Sequence, residues 1–544
     1  MATRLGALLL GLLWLDLLSS LAGDQQQHIL GAPHTRGVAE AVKYMVIIDA
    51  GSTGSRIHVY TYSPGMEGLP MPDIRLPDAQ MRGLPGLSAF ADKPQEAGQS
   101  LQQLLDFASK QVPAREQAAT EVHLLATAGL RLLEPRVAEA ILESCRNILL
   151  ASPFAFRKSW ASILSGTLEG VYGWVAANYA SGALQAYAAR RRQGRRHPSV
   201  AAPFVGVFEL GGASIQVTFH VAKPVNDTNV RILNLPHLGI PLYTHSFLGF
   251  GQETAQILAA TAALASMANL TTDVVVDDQA SVEVAMDPCL PRGYSGTVNG
   301  RPVAGGGYFG LCRQLAANLI AGQCTSPRCP IGNGSVAPPL LQGKFLAIEN
   351  FHHTASLLKL GEQPSLREVA AAGERYCGAA WPLLQEQYAQ QKTSQELLKY
   401  CFSAAYIVAL LHDGFGLGMD ERQLHFTNSV TDRRGLQVDI DWTTGAAVVA
   451  AALASSGARS HSSYDFLLFP HRVDHVMRAS SATVKAEFYL LAALAALFAA
   501  LLALHLFGSR IWKRKGQTSS PRHPSSPRTG TSLQANWKPE RRAD

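Results

Sequence analysis

The fold can be predicted from one stretch, Met45-Val-Ile-Ile-Asp-Ala-Gly-Ser-Thr-Gly-Ser-Arg56, and from its repeat, Phe204-Val-Gly-Val-Phe-Glu-Leu-Gly-Gly-Ala-Ser-Ile-Gln216. In both, an apolar strand ends in an acid, and a turn of small residues leads into a second strand. Turns of this kind expose several backbone N–H groups at once, and such groups bind phosphate oxygens. The repeat therefore predicts two related lobes facing one cleft, with Asp49 and Glu209 at equivalent positions.

The sequence around these stretches alternates strand-like and helix-like segments, which indicates an α/β protein. We expect strands at Tyr44–Ile48, Ile57–Tyr62, Val122–Ala126, Phe204–Phe208 and Ile215–Val221. We expect helices at Gln95–Gln111, Arg136–Leu150, Trp160–Ala177, Gln252–Ala268, Cys312–Ala321 and Ser394–Leu411.

The charge of the chain is concentrated at its end. The 544 residues carry a formal net charge of +6 and are 47% hydrophobic. Residues 508–544 hold nine Lys or Arg against two acids, so this tail is +7 and the remainder is −1. A nearly neutral body gives no support for nucleic-acid binding, and we expect no nucleic-acid partner.

Both ends of the chain carry targeting signals. Residues 488–507 contain no Asp, Glu, Lys or Arg, and they are long enough to span a bilayer as a transmembrane helix. The basic residues that follow place the tail, 508–544, in the cytosol. Residues 1–22 are predicted to be a signal peptide or an anchor. The body would then lie outside the cytosol, in agreement with sequons at Asn226, Asn269 and Asn333.

Seven cysteines fit an oxidising compartment. The simplest sequential pairs are Cys289 with Cys312, Cys324 with Cys329, and Cys377 with Cys401. Cys145 is left without a partner, and the absence of a Cys-x2-Cys pair argues against a zinc ribbon.

Five ordered blocks between residues 44 and 445 carry a resemblance. They are Asp49–Arg56, Ala126-Thr-Ala-Gly-Leu-Arg131, Gly166-Thr-Leu-Glu-Gly-Val-Tyr-Gly-Trp-Val-Ala-Ala-Asn-Tyr179, Glu209–Gln216 and Phe345-Leu-Ala-Ile-Glu-Asn-Phe-His-His-Thr354. Each block alone is weak, but the ordered set resembles the apyrase, or ecto-nucleoside triphosphate diphosphohydrolase, family of the actin/Hsp70/sugar-kinase fold group. The resemblance implies two RNase-H-like lobes with a nucleotide cleft between them. It places lobe I at 42–164 and 436–470, and lobe II at 165–435.

The resemblance also implies a reaction, the direct attack of water on the terminal phosphate of a nucleoside tri- or diphosphate. Glu169 matches the family's catalytic base, and Ser214 and Gln216 match the residues that orient the water. Asp49 and Glu209 match the residues that hold Ca²⁺ or Mg²⁺ through its water shell. The residues that match the phosphate contacts are Gly51, Ser52, Thr53, Gly54, Ser55, Thr127, Gly211, Gly212, Ala213 and Ser214. Arg131 of the second block is either part of the site or structural.

Two departures from the family pattern matter. The family usually has Asp where this chain has Glu209, so the metal preference and the rate of the family do not carry over to this chain from the resemblance alone. The fifth block is usually richer in aromatic residues, which leaves Phe351 and His352 as the candidates for stacking on the base. Trp442 resembles the family residue that contacts the opposite face of the nucleobase. The alternative interpretation is that Trp442 is a buried core residue.

Three other functions stay open from the sequence. A polyphosphate or alarmone phosphohydrolase shares the fold group, but such enzymes are generally cytosolic. A sugar kinase is less well supported, since Glu169 matches a base that activates water. A nucleotide-binding surface receptor with weakened catalysis is suggested by Glu209. The sequence does not determine the preferred nucleotide, the choice of plasma membrane or Golgi, or the oligomeric state.

Overall fold

The two predicted hairpins form the centres of two mixed β-sheets. The computed structural model describes residues 42–65, 71–192, 204–222, 227–236, 238–266, 272–276, 280–298, 300–322, 331, 341, 343–455 and 468–470. The strands Lys43–Ala50 and Ser55–Ser63 form the first hairpin, which we call the Asp49 hairpin. The strands Gly206–Leu210 and Ser214–His220 form the second, the Glu209 hairpin.

The sheets built around the hairpins share a strand order, which supports the internal repeat. The first sheet runs Asp73–Gly83, Ser55–Ser63, Lys43–Ala50, Glu121–Ala126, Ala161–Ile163. The second contains the equivalent series Leu238–Leu248, Ser214–His220, Gly206–Leu210, Phe345–Glu349, Leu424–Phe426. In both series the first three strands are antiparallel and the last three are parallel. The second sheet continues through Val230–Leu235 to Leu468–Pro470.

The remaining elements cover these sheets. The α-helices in the described residues are Gln102–Gln111, Ala114–Gln117, Ala128–Arg131, Pro135–Ala151, Gly166–Ala180, Ala183–Arg192, Gln252–Ser266, Phe309–Ala321, Asn350–Leu357, Leu366–Gly378, Trp381–Tyr388, Ser394–Leu397, Lys399–Val408 and Trp442–Ser455. A π-helical turn, Ala409–Gly414, follows Lys399–Val408. A four-stranded sheet has the order Thr272–Val276, Ala280–Asp287, Arg301–Gly305, Ser295–Val298. A two-stranded sheet pairs Ser429–Thr431 with Gln437–Asp439.

A pair of apolar helices fills the space between the sheets. The helix Gly166–Ala180, which we call the Glu169 helix, is buried along nearly all of its length because it is apolar on every face. It packs against Trp442–Ser455 in one core cluster with residues of both sheets. The approach is close, since a Cβ on Gly445 would lie 1.9 Å from the carbonyl oxygen of Tyr172. Glycine is therefore required where these helices cross.

Some predicted boundaries are wrong. Residues 161–163 are not helical, because they pair in parallel with the strand Glu121–Ala126. The Glu169 helix begins only after Ser165, whose Oγ accepts a hydrogen bond from the N–H of Leu168 and caps the helix. The predicted helix Ser394–Leu411 is divided into two helices and the π-helical turn. The predicted helix from Gln95 begins with 3₁₀ turns, and its α-helical part starts at Gln102.

The cysteine pairing agrees with the sequence where it is described. Disulfides join Cys289 to Cys312 and Cys377 to Cys401, and Cys145 is buried without a disulfide. The third predicted pair lies outside the described residues, as do the three sequon asparagines and the predicted segments 1–22, 488–507 and 508–544. Within the described ranges, no helix combines the length and apolar character needed to cross a membrane. The lobe boundaries stay predictions.

Candidate active site

The turns of the two hairpins face each other across a cleft of about 350 Å³. Each turn is closed by one backbone hydrogen bond of 3.0 Å, from Gly51 N–H to the Gly54 carbonyl and from Gly211 N–H to the Ser214 carbonyl. The turns nearly touch, because a Cβ on Gly212 would lie 2.6 Å from Ser52 Oγ. The structure thus brings together all the predicted phosphate contacts, which line the cleft: Gly51, Ser52, Thr53, Gly54, Ser55, Thr127, Gly211, Gly212, Ala213 and Ser214.

The three predicted catalytic side chains form one hydrogen-bonded group beneath the second turn. Gln216 Nε2 donates to Glu169 Oε2 at 3.0 Å and to Ser214 Oγ at 2.7 Å. Arg131 Nη2 donates to Glu169 Oε2 at 2.7 Å and to Ser214 Oγ at 3.2 Å. Arg131, which the sequence left between two roles, thus contacts two of the three predicted catalytic side chains, although it is not among the residues that line the cleft. It holds the carboxylate and the hydroxyl in fixed positions relative to each other.

Two opposing effects set the protonation of Glu169. Burial raises the pKa of this carboxyl, and the Arg131 guanidinium lowers it through charge and a hydrogen bond. The net result is a pKa above the usual range for Glu. A carboxylate with a raised pKa is a better proton acceptor, which is what the activation of a water molecule requires.

Asp49 and Glu209 have the properties expected of groups that hold a hydrated cation. Both line the cleft, and Asp49 Oδ1 and Glu209 Oε2 have no hydrogen-bond partner among the described residues. Burial, and then the neighbouring carboxylates, raise the pKa of each well above its usual range. Buried acids with unpaired oxygens fit a divalent cation, whose charge would offset theirs.

Within the described ranges, no three His, Cys, Asp or Glu side chains are placed to ligate a metal directly. The longer side chain of Glu209 fits because of Gly173 on the Glu169 helix, where a Cβ would lie 2.8 Å from Glu209 Oε2.

A second acidic group, which the sequence did not single out, joins the first hairpin to the helix Trp442–Ser455. Asp441 Oδ2 accepts a hydrogen bond from Arg56 Nη1 at 3.2 Å, and Oδ1 accepts from the Thr443 N–H at 2.8 Å. Although burial raises the pKa of Asp441, the positive charges of His58 and Arg56 and the bonds from Thr443 bring it below its usual range. Asp441 thus favours its ionised form, and its carboxylate holds Arg56 at the cleft.

Of the three residues predicted to bind the nucleobase, Trp442 lines the cleft, whereas Phe351 and His352 do not. Trp442 lines the cleft, although it is only 5% exposed. Phe351 is completely buried and stacks on Phe426 with a ring-centroid distance of 5.8 Å. His352 is not among the residues that line the cleft, and its Nδ1 lies 3.2 Å from the Phe426 carbonyl oxygen. His353, one position further along the helix, lines the cleft instead, together with Tyr400.

Comparison with known proteins identifies relatives of this chain. A model of the GDA1/CD39 (nucleoside phosphatase) family matches residues 36–458. The chain belongs to this family. Probable apyrase 4 of Arabidopsis thaliana is 38% identical over 434 residues, which cover 76% of this chain and 80% of that protein. Ectonucleoside triphosphate diphosphohydrolase 2 of Mus musculus is 32% identical over 435 residues, which cover 74% and 81%.

A solved structure supports the fold of this GDA1/CD39 protein. Nucleoside triphosphate hydrolases from Neospora caninum superpose with a TM-score of 0.54 at 16% identity, over 82% of this chain and 98% of that one. At this identity the likeness concerns the fold alone. The α/β architecture with mixed sheets is consistent with an actin/Hsp70-like fold.

Among the residues of this GDA1/CD39 site that were not predicted from the sequence are Glu349, His353 and Asp441. All three line the cleft, and all three lie in or beside segments that had already been singled out. Glu349 and His353 belong to the fifth block, and Asp441 immediately precedes Trp442. The signal was therefore present, but the sequence alone does not tell which side chains of a block face the cleft.

Proposed function

We propose that this protein hydrolyses the terminal phosphate of nucleoside tri- and/or diphosphates by direct attack of a water that Glu169 activates. The observation that carries the proposal is the group formed by Glu169, Ser214, Gln216 and Arg131, which lies against two facing phosphate-binding turns. Glu169, a buried carboxylate with a raised pKa, acts as the general base in this proposal. Family membership and the names of the relatives support nucleoside phosphate hydrolysis as the reaction class.

The side chains of the site have different roles in the proposed reaction. Ser214 and Gln216 hold a water molecule beside Glu169, which accepts a proton from it as the water oxygen attacks the terminal phosphorus. The bond from that phosphorus to the bridging oxygen breaks, so that inorganic phosphate and the shortened nucleotide are released. The backbone N–H groups and hydroxyls of the two turns donate to the phosphoryl oxygens, on which negative charge accumulates. Arg131 keeps Glu169 and Ser214 aligned.

A divalent cation, Ca²⁺ or Mg²⁺, fits the site through water held by Asp49 and Glu209. When bound, such a cation neutralises phosphate charge and orients the terminal phosphate. The unpaired carboxylate oxygens at Asp49 and Glu209 support this assignment. The nucleobase would lie toward Trp442, with His353 rather than Phe351 on the cleft side.

The test of the mechanism is a comparison of Glu169→Ala with the full-length wild-type protein, measured as phosphate release from ATP, ADP and UDP with Mg²⁺ or Ca²⁺. Loss of a general base is expected to lower kcat by about 10²–10⁴. Glu374→Gln, on the exposed face of Leu366–Gly378, is the control and should keep full activity. Full turnover by Glu169→Ala would refute the mechanism, and faster release from polyphosphate than from any nucleotide would refute the substrate class.

We also propose that the body lies on the extracellular or luminal side of a membrane, anchored by residues 488–507. The two described disulfides support an oxidising compartment. If the proposal is correct, an endoglycosidase will reduce the apparent mass of the protein from eukaryotic cells, and Asn226→Gln, Asn269→Gln and Asn333→Gln together will abolish that shift. An unglycosylated protein accessible to protease only after cell lysis would contradict it.

A further inference from the structure

The residue Glu349 has an unusual backbone for a glutamate. It ends the strand Phe345–Glu349 and precedes the helix Asn350–Leu357, with φ 61° and ψ −121°. Glycine adopts this conformation more readily than any other residue. The turn is held on both sides, since the Glu349 N–H donates to Asn428 Oδ1 at 2.7 Å and Asn350 Nδ2 donates to the Leu210 carbonyl at 2.9 Å. A strained glutamate held in this way directs attention to what its side chain does.

The Glu349 carboxylate lines the same cleft as Asp49 and Glu209. The strand that ends at Glu349 lies beside the strand that carries Glu209, with Ile348 opposite Glu209 and Glu349 opposite Leu210. The two acids are therefore neighbours at the carboxyl ends of adjacent parallel strands. Each is near enough to affect the other, because the negative charge of Glu349 contributes to raising the pKa of Glu209.

Burial and the negative charge of Asp441 raise the pKa of Glu349, and the positive charges of Arg56, Arg82 and His352 only partly offset them. The one ion-pair contact recorded for Glu349 among the described residues is His353 Nε2 at 3.9 Å, and burial lowers the pKa of His353 to about 4, so this imidazole is neutral at pH 7. Arg56, although it lies within electrostatic reach of Glu349, donates its hydrogen bond to Asp441 at 3.2 Å.

An acidic cluster alone does not establish a site, but a second observation points to a ligand. Glu209 is only 6% exposed, it lines the cleft, and its Oε2 has no hydrogen-bond partner among the described residues. Burying an unpaired carboxylate oxygen is costly. A cation that brings its own water molecules can satisfy this oxygen and the neighbouring carboxylates together, without a direct metal bond to any of them.

We propose that Glu349 is a third carboxylate on the water shell of the divalent cation, beside Asp49 and Glu209, so that the protein binds the cation before it binds nucleotide. Three acids would hold the hydrated cation in place and present it to the incoming phosphates. Glu349 is thus a positioning residue for the cation and does not touch the reacting atoms. This inference rests on the proposed function, since it assigns a further residue to the same site.

The experiment measures Mn²⁺ binding to the full-length protein in the absence of nucleotide, with free Mn²⁺ followed by its EPR signal. Glu349→Gln removes the charge and keeps the shape of the side chain. Glu349→Gly removes the carboxylate and suits the backbone conformation, so this variant is expected to fold. Glu374→Gln removes one negative charge from a helix surface outside the cleft and is the matched control.

The wild-type protein and Glu374→Gln should bind Mn²⁺ alike, while both Glu349 variants should weaken binding by about tenfold or more, the usual effect of losing an outer-shell partner of a metal. The same variants should need more Mg²⁺ for half-maximal phosphate release, with the nucleotide KM at saturating Mg²⁺ nearly unchanged. Equal Mn²⁺ affinity in the wild-type protein and both Glu349 variants would overturn the inference, as would a wild-type protein that binds no Mn²⁺ without nucleotide. Failure of the proposed function is a separate result, in which the wild-type protein releases no phosphate from nucleotides at any cation concentration.

Discussion

Arg131 opposes the effect of burial on the pKa of Glu169, the proposed general base, and should therefore influence the pH range in which Glu169 can accept a proton. Because the guanidinium lowers the pKa that burial raises, Arg131→Met should raise the pKa of Glu169 further. A base must be deprotonated to act, so the acidic limb of the kcat/KM profile is expected to move to higher pH. Activity at pH 6 should therefore fall by a larger factor than activity at pH 8.

The control for this prediction is Arg131→Lys, which keeps the positive charge but loses the planar group that contacts both Glu169 and Ser214. It should lose activity at all pH values with a smaller displacement of the acidic limb. An acidic limb that stays in place in Arg131→Met would show that a different group governs the profile.

Single residues also show where the sequence could and could not predict the site. Glu169, Ser214 and Gln216 were identifiable because their blocks have fixed spacing, and the structure brings them together. The candidate residues for binding the nucleobase were harder to predict, because the positive φ of Glu349 sets the direction in which the following helix leaves the strand. That turn buries Phe351 and brings His353 to the cleft, and a helical period counted from the sequence contains no information about it.

At the scale of elements, the contact between the Glu169 helix and the Glu209 hairpin depends on a missing side chain. A Cβ on Gly173 would lie 2.8 Å from Glu209 Oε2, so Gly173→Ala should displace this carboxylate. We expect the cation requirement to rise and activity to fall by roughly tenfold. Glu209→Asp shortens the acid by one methylene and should recover part of this loss in the double variant. A double variant no better than Gly173→Ala would show that the helix itself, and not the carboxylate, had moved.

The crossing of the Glu169 helix and Trp442–Ser455 predicts a large effect on stability. Gly445→Ala places a Cβ 1.9 Å from the backbone oxygen of Tyr172, and neither backbone can yield without separating the helices. Overpacking of this kind costs about 1–3 kcal/mol, which a fall in Tm will report. Gly310→Ala in Phe309–Ala321 is the control, because nothing lies within 4 Å of its Cβ position. An unchanged Tm for Gly445→Ala would mean that the crossing is looser than described.

The strands of the two hairpins were predictable because apolar runs and small-residue turns are local signals. The start of the Glu169 helix was not, since the strand Ala161–Ile163 exists only through its pairing with Glu121–Ala126. The residues that lie beside Glu349 in the sheet could not be predicted either, because the register of adjacent parallel strands is set by packing between distant segments.

At the scale of the whole molecule, the net charge of the chain differs in sign from the charge of the acids in the cleft. The excess of basic residues lies in the tail, 508–544, while the cleft that handles a polyanionic substrate collects buried acids. These acids repel one another and the phosphates of a substrate, so a bound cation would stabilise the folded protein as well as assist the reaction. The stability of the body would then depend on the cation concentration.

Cation binding should therefore stabilise the full-length protein in a manner that depends on pH. The pKa values of Asp49 and Glu209 are raised in the folded state, so the stability linked to these groups is greatest below their unfolded pKa values of about 4 and is lost as pH rises through the folded pKa values. A bound cation offsets this loss, by about 2.7 kcal/mol at 100 times its Kd. The rise in Tm on adding Mg²⁺ or Ca²⁺ should be large at pH 8, fade as the carboxyls take up protons, and disappear in the variant Asp49→Asn/Glu209→Gln. An equal rise in that variant would place the cation elsewhere in the protein.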